Sequence, residues 1–246
     1  MRKRIRINSY GASKSARLLS KYIGANRLLM TGSRFVGKNS DVVINWGNGN
    51  QRLHNIGNAR QINKLYNVQL ASNKLKTLEA LKARRVSIPY FSTYKESFAP
   101  VDTLVCRTTL YGHSGQGIVV GLRDEVCEAP LYVEYIEKVA EYRVIVVGGE
   151  VVDFKKKKRR NGYDGVYGEH VWNHSSGYIF ARNNFIVPSN CGRLGVSAVV
   201  ALGLDFGAVD IIEDREGTLY VLEVNTAFGI EGTTLQLVGD AIKEIL

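Results

Sequence analysis

The spacing of apolar and polar residues predicts strands over much of the second half of the chain. Two apolar runs, FGAVDII and TLYVLEV, flank the polar segment EDREG, which is typical of a β-hairpin. PLYVEYI and EYRVIVV are further predicted strands, and the second turns through Gly148 and Gly149 into EVVDF. Residues 190–203 and the final EGTTLQLVGDAIKEIL are predicted helices.

A different pattern occupies the first 70 residues. Residues 3–8 (KRIRIN) form a predicted strand, and Ser13 is placed to cap a helix over SKSARLLSKYIG that ends at Gly24. DVVINWG is a second predicted strand. Strand, helix and strand on this scale predict a small open α/β domain, which we place at residues 1–70.

Length and composition are those of a globular protein with one large or two small cores, since 45% of the 246 residues are hydrophobic. No run is long and apolar enough to span a bilayer. The basic N-terminal segment lacks a hydrophobic signal core, so we expect a cytoplasmic protein with no membrane partner. Cys106, Cys127 and Cys191 are isolated in the sequence, and we expect reduced, buried thiols.

Charge is distributed unevenly along the chain. Residues 1–78 hold fifteen Lys or Arg and one acidic residue, Asp41, whereas the remainder is mildly acidic. Such asymmetry has two interpretations. One is a generic basic surface, and the other is a polyanionic partner such as a nucleic acid or an acidic peptide.

The predicted hairpin of FGAVDII and TLYVLEV contains the most informative polar residues. Asp210 lies in its first strand, and Glu223 and Asn225 lie in its second. Residues two apart on a strand share a face, and Asp210 can join them across the ladder. Burying these oxygens costs free energy unless a cation or hydrogen bonds compensate. Two carboxylates and an amide suit Mg²⁺ bound together with phosphates. A solvent-facing strand edge is the alternative.

An acidic residue, a gap of about a dozen residues and then Glu-x-Asn before a glycine-containing loop resembles the metal-binding end of the ATP-grasp fold. The chain resembles the carboxylate–amine ligases that add glutamate to a peptide C-terminus and, more distantly, D-alanine–D-alanine ligases. The resemblance implies an α+β fold in which two α+β subdomains sandwich ATP, preceded by the small α/β domain. It implies an ATP-grasp domain at residues 71–246, with a lid subdomain at about 100–136.

Further motifs of the family occur in order and imply residues that bind the ATP phosphates. Lys74 stands near the start of the helix predicted in SNKLKTLEALKARR. Arg107 stands on the strand where the family usually has Lys, one residue farther from the first glycine. The glycines of the next loop let backbone N–H groups approach a phosphate. They are Gly112, Gly115 and Gly117.

The resemblance also implies residues for the rest of the nucleotide. The end of the strand PLYVEYI is similar to the adenine hinge of the family, which here is Glu134, Tyr135 and Ile136. Glu141 is the implied ribose ligand. Arg143 is implied to steady the acyl phosphate and the tetrahedral intermediate, and a salt bridge with Glu141 is its alternative role.

Six consecutive cations follow, from Lys155 to Arg160. The family has one or two basic residues here, and Lys157 and Lys158 match them best, with a solvated cationic face as the alternative. Asn173 in WNHSSG is the candidate ligand for phosphate or metal. After Asn225 the family usually has Pro before Gly, and this chain has Phe228 instead.

The implied function is an ATP- and Mg²⁺-dependent carboxylate–amine ligase, with Mn²⁺ as a substitute metal. ATP phosphorylates a carboxylate, ADP is released, and an amine displaces phosphate from the acyl phosphate. The metal held by Asp210, Glu223 and Asn225 neutralises phosphate charge, and Arg143 stabilises the oxyanion. The expected partners are ATP and small-molecule or peptide carboxylate and amine substrates. Two alternatives remain: a ligase acting on a nucleic-acid-linked substrate, and a non-catalytic nucleic-acid-binding module.

Overall fold

The computed structural model of the protein describes residues 3–29, 33–50, 56–112 and 115–246. Within these ranges the chain forms three β-sheets and five α-helices. We call the sheets the N-terminal sheet, the small sheet and the central sheet.

The N-terminal sheet is parallel, with strand order β2-β1-β3-β4. Its strands are β1 (Ile5–Ser9), β2 (Asn26–Arg27), β3 (Val42–Trp46) and β4 (Arg60–Ile62), and α1 (Lys14–Tyr22) connects the first two. The Ser13 side chain accepts a hydrogen bond from the backbone N–H of Ala16, and Gly24 has a φ of +68° just after the helix. The predicted strand, capped helix and strand are therefore confirmed.

Two helices lead from this sheet into the small sheet. They are α2 (Leu65–Ser72) and α3 (Lys74–Ala83). The sequence pattern does not predict α2, which buries only Val68 and Ala71. The boundary expected after residue 70 falls inside this helix. The small sheet that follows is antiparallel, in the order β5-β8-β6-β7. Its strands are β5 (Phe91–Ser92), β6 (Thr103–Arg107), β7 (Ile118–Leu122) and β8 (Leu131–Glu134).

The central sheet is antiparallel, in the order β11-β10-β9-β12-β13. Its strands are β9 (Ala140–Val147), β10 (Glu150–Arg159), β11 (Tyr178–Ala181), β12 (Phe206–Glu213) and β13 (Leu219–Asn225). Helices α4 (Cys191–Ala201) and α5 (Gly232–Glu244) complete the chain. Both predicted hairpins are confirmed. In the first, β9 turns into β10 through Gly148 and Gly149, whose positive φ angles match a tight hairpin turn. In the second, β12 pairs with β13 in antiparallel orientation.

The central sheet has a hydrophobic core on each face. On one face Val144 and Val209 pack with residues of α2, α3 and α4. On the other face Ile145 and Phe206 pack with residues of the N-terminal sheet, α1 and α5. The central and N-terminal sheets therefore share one core and support each other.

Aromatic stacking closes the joint between these two sheets. The fully buried ring of Trp46 lies 5.1 Å from that of Phe206 and 4.9 Å from that of Phe228. Gly47 follows Trp46 with a φ of +74°, and a Cβ there would lie 2.3 Å from the Cβ of Ala227. Phe228, the departure from the family pattern, is therefore a core residue that fixes the loop after β13.

The expectation of three isolated, buried thiols is partly wrong. Cys106 and Cys191 are buried, but Cys127 is exposed. The Sγ atoms of Cys106 and Cys127 lie 3.5 Å apart because β6 and the segment before β8 meet in the small sheet. Residues 21 apart in sequence give no signal of such a contact.

Asn63 joins the N-terminal sheet to β12 by hydrogen bonds. Its side-chain Oδ1 accepts from the backbone N–H groups of Asp205 (2.7 Å) and Phe206 (3.1 Å), and its Nδ2 donates to the carbonyl of Phe206 (2.9 Å). Asn63 is fully buried and has a φ of 57°, a region in which Asn is favoured over most residues.

We expect Asn63→Gly to lower the free energy of unfolding by about 2 kcal/mol, because buried backbone groups lose their partners. Asn63→Ala should cost about 1 kcal/mol more, because alanine is strained at positive φ. Urea unfolding of the two variants measures both effects. Equal stability of the two variants would show that the positive φ of residue 63 contributes nothing to the free energy of unfolding.

Candidate active site

A cavity of about 1020 Å³ lies between the small sheet and the central sheet. Its apolar walls come from both sheets, for example Val105 and Val133 on one side and Ile212 and Val221 on the other. Charged residues from β9, β10, β12 and β13 form its floor. An apolar cavity with a few converging polar groups is the usual form of a ligand site.

Arg143 and Asp210 form a buried ion pair in this floor. Strand register places Asp210 of β12 between Arg143 of β9 and Glu223 of β13. The Nε and Nη2 atoms of Arg143 donate to Oδ1 and Oδ2 of Asp210, both at 2.7 Å. Burial alone would lower the pKa of Arg143, but Asp210 raises it. Arg143 thus pairs with Asp210, and the alternative of a salt bridge to Glu141 is wrong.

Glu223 and Asn225 share the cavity face with Asp210, as the alternation on the strand predicts. The Nδ2 of Asn225 donates to Oε1 of Glu223 (2.9 Å) and to Oδ2 of Asp210 (3.3 Å). The Lys74 ammonium, at the first residue of α3, forms an ion pair with Oε2 of Glu223. Burial acts to raise the pKa of Glu223, but Lys74 and Asn225 outweigh it and hold the pKa at about 2.

Glu141 forms a second charge cluster in the cavity. Its carboxylate accepts a hydrogen bond from Lys138 at 2.8 Å and forms an ion pair with Lys157. Only 3% of Glu141 is exposed, and burial lowers the pKa of Lys138. Glu141 and Lys157 both line the cavity, as predicted.

The structure corrects the assignment of Lys158. Successive residues of a strand face opposite sides of the sheet, so Lys158 points away from the cavity that Lys157 lines. Its Nζ donates to the carbonyls of Asn183 (3.1 Å) and Asn184 (2.8 Å). A run of identical charges does not indicate which members face a ligand.

Arg107 and the glycine loop enter the cavity from the small sheet. Arg107 lines the cavity, and its guanidinium has no hydrogen bond or ion pair with any residue that the structure describes. Burial lowers its pKa, against the attraction of Glu223. Gly112 and Gly115 also line the cavity. Gly117 has a turn role instead, since its carbonyl accepts the Thr108 N–H at 2.9 Å.

The three predicted hinge residues line the cavity where β8 ends. They are Glu134, Tyr135 and Ile136. The Tyr135 hydroxyl lies 3.0 Å from Nδ1 of His170, a residue of the loop between β10 and β11. This loop therefore covers the end of the cavity next to the hinge.

In this loop the sequence predicts a phosphate or metal ligand only at Asn173, and it gives no signal for the aromatic residues. Trp172 also lines the cavity and stacks on Tyr178, with ring centroids 5.0 Å apart and planes 5° apart. The Lys138 ammonium lies 4.6 Å from the centre of the Trp172 ring. Asn173 lines the cavity, and its Oδ1 accepts hydrogen bonds from Ser175 and Ser176. Loop residues lack the periodicity that would have indicated these contacts.

The oxygen donors of Asp210, Glu223 and Asn225 fit a hard divalent cation. Two carboxylates and one amide oxygen, beside room for phosphates, are the ligands that Mg²⁺ favours. Within the described ranges, no group of three or more His, Cys, Asp or Glu side chains is arranged so that it could hold a metal ion without other ligands. The amide of Asn225 now presents its nitrogen to both carboxylates, so a cation there requires it to rotate.

Several cations of the basic N-terminal region have carboxylate partners within the chain. Arg4 pairs with Asp41, Lys14 with Glu231, and Lys74 with Glu223. Asp41 is almost fully buried, so the first pair is structural. The charge excess of this region is therefore partly used in holding the fold.

We expect Asp210→Asn to lower the free energy of unfolding by about 3 kcal/mol, because Arg143 is left buried without a counter-charge. Combining Arg143→Met with Asp210→Leu should recover much of this loss, because no charge then remains unpaired. Chemical denaturation of the three proteins tests this. A double variant no more stable than Asp210→Asn would refute the explanation.

Comparisons with known proteins agree with this architecture. The model of the RimK-like ATP-grasp domain matches residues 71–246. A "Probable alpha-L-glutamate ligase" of Pasteurella multocida (strain Pm70) is 28% identical over 180 residues, which cover 65% of this chain and 55% of that protein. The chain thus spans about half the length of this curated relative.

Two solved structures illustrate the likeness of the fold. The ATP-grasp ligase PsnB complexed with minimal precursor has a TM-score of 0.71 at 11% identity, with 99% of both chains covered. D-alanyl-alanine synthetase A from Vibrio cholerae O1 biovar eltor has a TM-score of 0.69 at 13% identity, with 99% of this chain and 98% of the other covered. Such identities show the fold alone. The two TM-scores confirm the predicted α+β ATP-grasp fold.

The comparisons give no support to the two nucleic-acid alternatives. The relatives and structures described above are named as ligases or a synthetase.

Among the residues that the structure describes, no helix is both long and apolar enough to cross a membrane.

Proposed function

The chain belongs to the RimK-like ATP-grasp family, and we propose that it is an ATP- and Mg²⁺-dependent ligase that joins a carboxylate to an amine. One observation carries the proposal. The cavity between the two sheets combines a metal-type donor set, formed by Asp210, Glu223 and Asn225, with the uncommitted cation Arg107. The first group suits a divalent cation and the second suits a phosphate.

The reaction has two steps. A carboxylate oxygen attacks the γ-phosphorus of ATP, the bond to the β–γ bridging oxygen breaks, and ADP leaves. The amine nitrogen then attacks the acyl carbon, phosphate leaves, and the nitrogen loses a proton to give an amide. Because the relative from Pasteurella multocida is named a glutamate ligase, we propose L-glutamate as the amine substrate and a small-molecule or peptide carboxylate as its partner.

The nucleotide is proposed to lie along the small sheet. The hinge residues Glu134 to Ile136 offer backbone groups to adenine, and Glu141 is the candidate for the ribose. Arg107, Lys74 and the backbone of Gly112 and Gly115 are the candidates for the phosphates. This arrangement is supported by their shared position on one cavity.

The metal is proposed to bind Asp210, Glu223 and Asn225. When bound, it neutralises charge on the β- and γ-phosphates. A structure of PsnB complexed with minimal precursor, Mg and ADP supports the choice of metal, and Mn²⁺ suits the same oxygen ligands. The Lys74 ammonium can then move from Glu223 to a phosphate oxygen. The same side chain would thus neutralise Glu223 in the free protein and a phosphate in the complex.

Arg143 is proposed to stabilise the oxyanion. Asp210 fixes its guanidinium through two hydrogen bonds, and the Phe180 ring lies 4.1 Å below it. A donor held in place before the reaction needs little reorganisation when charge develops. Lys157, which contacts the same ring at 5.2 Å, and Asn173 are further candidates for phosphate contact.

ATP should raise the melting temperature of the protein, since a ligand that binds only the folded state stabilises it. The increase should be much larger with Mg²⁺ than with EDTA.

With a carboxylate and an amine substrate present, the nucleotide product should be ADP, as chromatography can show. Formation of AMP that depends on the substrates would contradict the proposed phosphoryl transfer.

Glu223→Gln should keep the fold and lower turnover at least a hundredfold, because one metal ligand loses its charge while its shape is kept. Glu216→Gln is the matched control, since Glu216 is exposed in the turn of the same hairpin. ADP release measured for both variants tests the assignment. Equal activity of Glu223→Gln and Glu216→Gln would exclude Glu223 as a metal ligand.

A further inference from the structure

Most of the buried cations around the cavity already have a carboxylate partner. The pairs that line it are Lys74–Glu223, Arg143–Asp210, Lys138–Glu141 and Lys157–Glu141. Lys155 differs from them. Its ammonium group makes no hydrogen bond and no ion pair with any residue in the described part of the chain.

Lys155 lies on the cavity face of the central sheet. Strand pairing sets it opposite Arg143, and alternation along β10 sets it on the same side as Lys157. Both of these neighbours line the cavity. Lys155 is therefore next to the group proposed to stabilise the reaction, on the side of the N-terminal sheet.

Two carboxylates near Lys155 attract its ammonium group, but each of them is bonded to another cation. Asp153 already accepts from Arg182 at 2.7 Å, and its same oxygen accepts from Thr234 at 3.0 Å. Glu231, at the start of α5, pairs with Lys14 at 2.6 Å. Partial burial lowers the pKa of Lys155. Because a half-buried cation without a partner costs free energy, an anionic group at this position would be bound favourably.

This side of the cavity is formed by the parts of the chain that lie away from the adenine hinge. Ser13, which caps α1, and residues 227–229 after β13 line it. Lys14 directly follows Ser13 in the sequence, and Glu231 stands two residues after Gly229. The first turn of α1 adds partial positive charge, because its N–H groups have no partners within the helix. A substrate bound here would meet net positive charge.

Building on the ligase function proposed above, we propose that Lys155 binds the side-chain carboxylate of an acidic amino acid and thereby selects glutamate over its neutral amide. Arg107 and Lys155 then have separate tasks. Arg107 binds phosphate from the small sheet, and Lys155 binds substrate from the central sheet. Lys155 acts in specificity, while the reacting atoms lie nearer to Arg143.

The test is calorimetric titration of the full chain with L-glutamate or L-glutamine, with and without Mg²⁺ and a non-hydrolysable ATP analogue. The wild-type protein should bind glutamate about tenfold or more tightly than glutamine, the difference expected of one charge-assisted hydrogen bond. Lys155→Gln should lose this preference and keep its affinity for the ATP analogue. Lys155→Arg should retain the preference.

Lys156→Gln is the matched control, because Lys156 is the next residue on the same strand and faces the other side of the sheet. It should behave as wild type. The proposal is overturned if the wild-type protein does not prefer glutamate, or if Lys155→Gln keeps the preference. Failure to bind the ATP analogue would instead refute the proposed ligase function, since glutamate binding is also measured without nucleotide.

Discussion

The pairing of buried charges across neighbouring strands is the constraint on which the rest of the site depends. Arg143, Asp210 and Glu223 stand side by side on β9, β12 and β13. None of them could remain charged in an apolar cavity without a partner, because an isolated buried charge is strongly destabilising. Lys74 and Asn225 complete the row. The same side chains thus balance one another's charge in the free protein, and they are the residues proposed to exchange these partners for a nucleotide and a metal.

Much of this row could be predicted from the sequence, because strand periodicity is a strong signal. The alternation along the second strand predicted that Glu223 and Asn225 share one face, and the hairpin predicted that Asp210 could join them across the ladder. The direct pairing of Asp210 with Glu223 depends on a register shift between Asp210 and Ile211, which the sequence does not reveal. Glycine pairs and helix caps, such as Gly148–Gly149 and Ser13, were equally clear because they follow from local backbone geometry.

Contacts between distant parts of the chain could not be predicted in the same way. The partner of Arg143 lies 67 residues away, and only the strand order reveals it. Lys158 belongs to a run of six cations in which the phase of the strand, rather than the residue type, decides which ones face the cavity. Trp172 lies in an irregular loop without periodicity. Phe228 differs from the family pattern at a position whose meaning depends on Trp46, which lies far away in the sequence.

The N-terminal sheet and the small sheet differ in how closely they are bound to the central sheet. The stack of Trp46, Phe206 and Phe228 makes the N-terminal sheet part of the core of the central sheet. The small sheet instead has a core of its own, around Leu104 and Tyr132. A chimaera that exchanges the small sheet between relatives therefore has few contacts to rebuild. One that exchanges the N-terminal sheet must bring the loop after β13 with it, so these two segments are expected to change together in evolution.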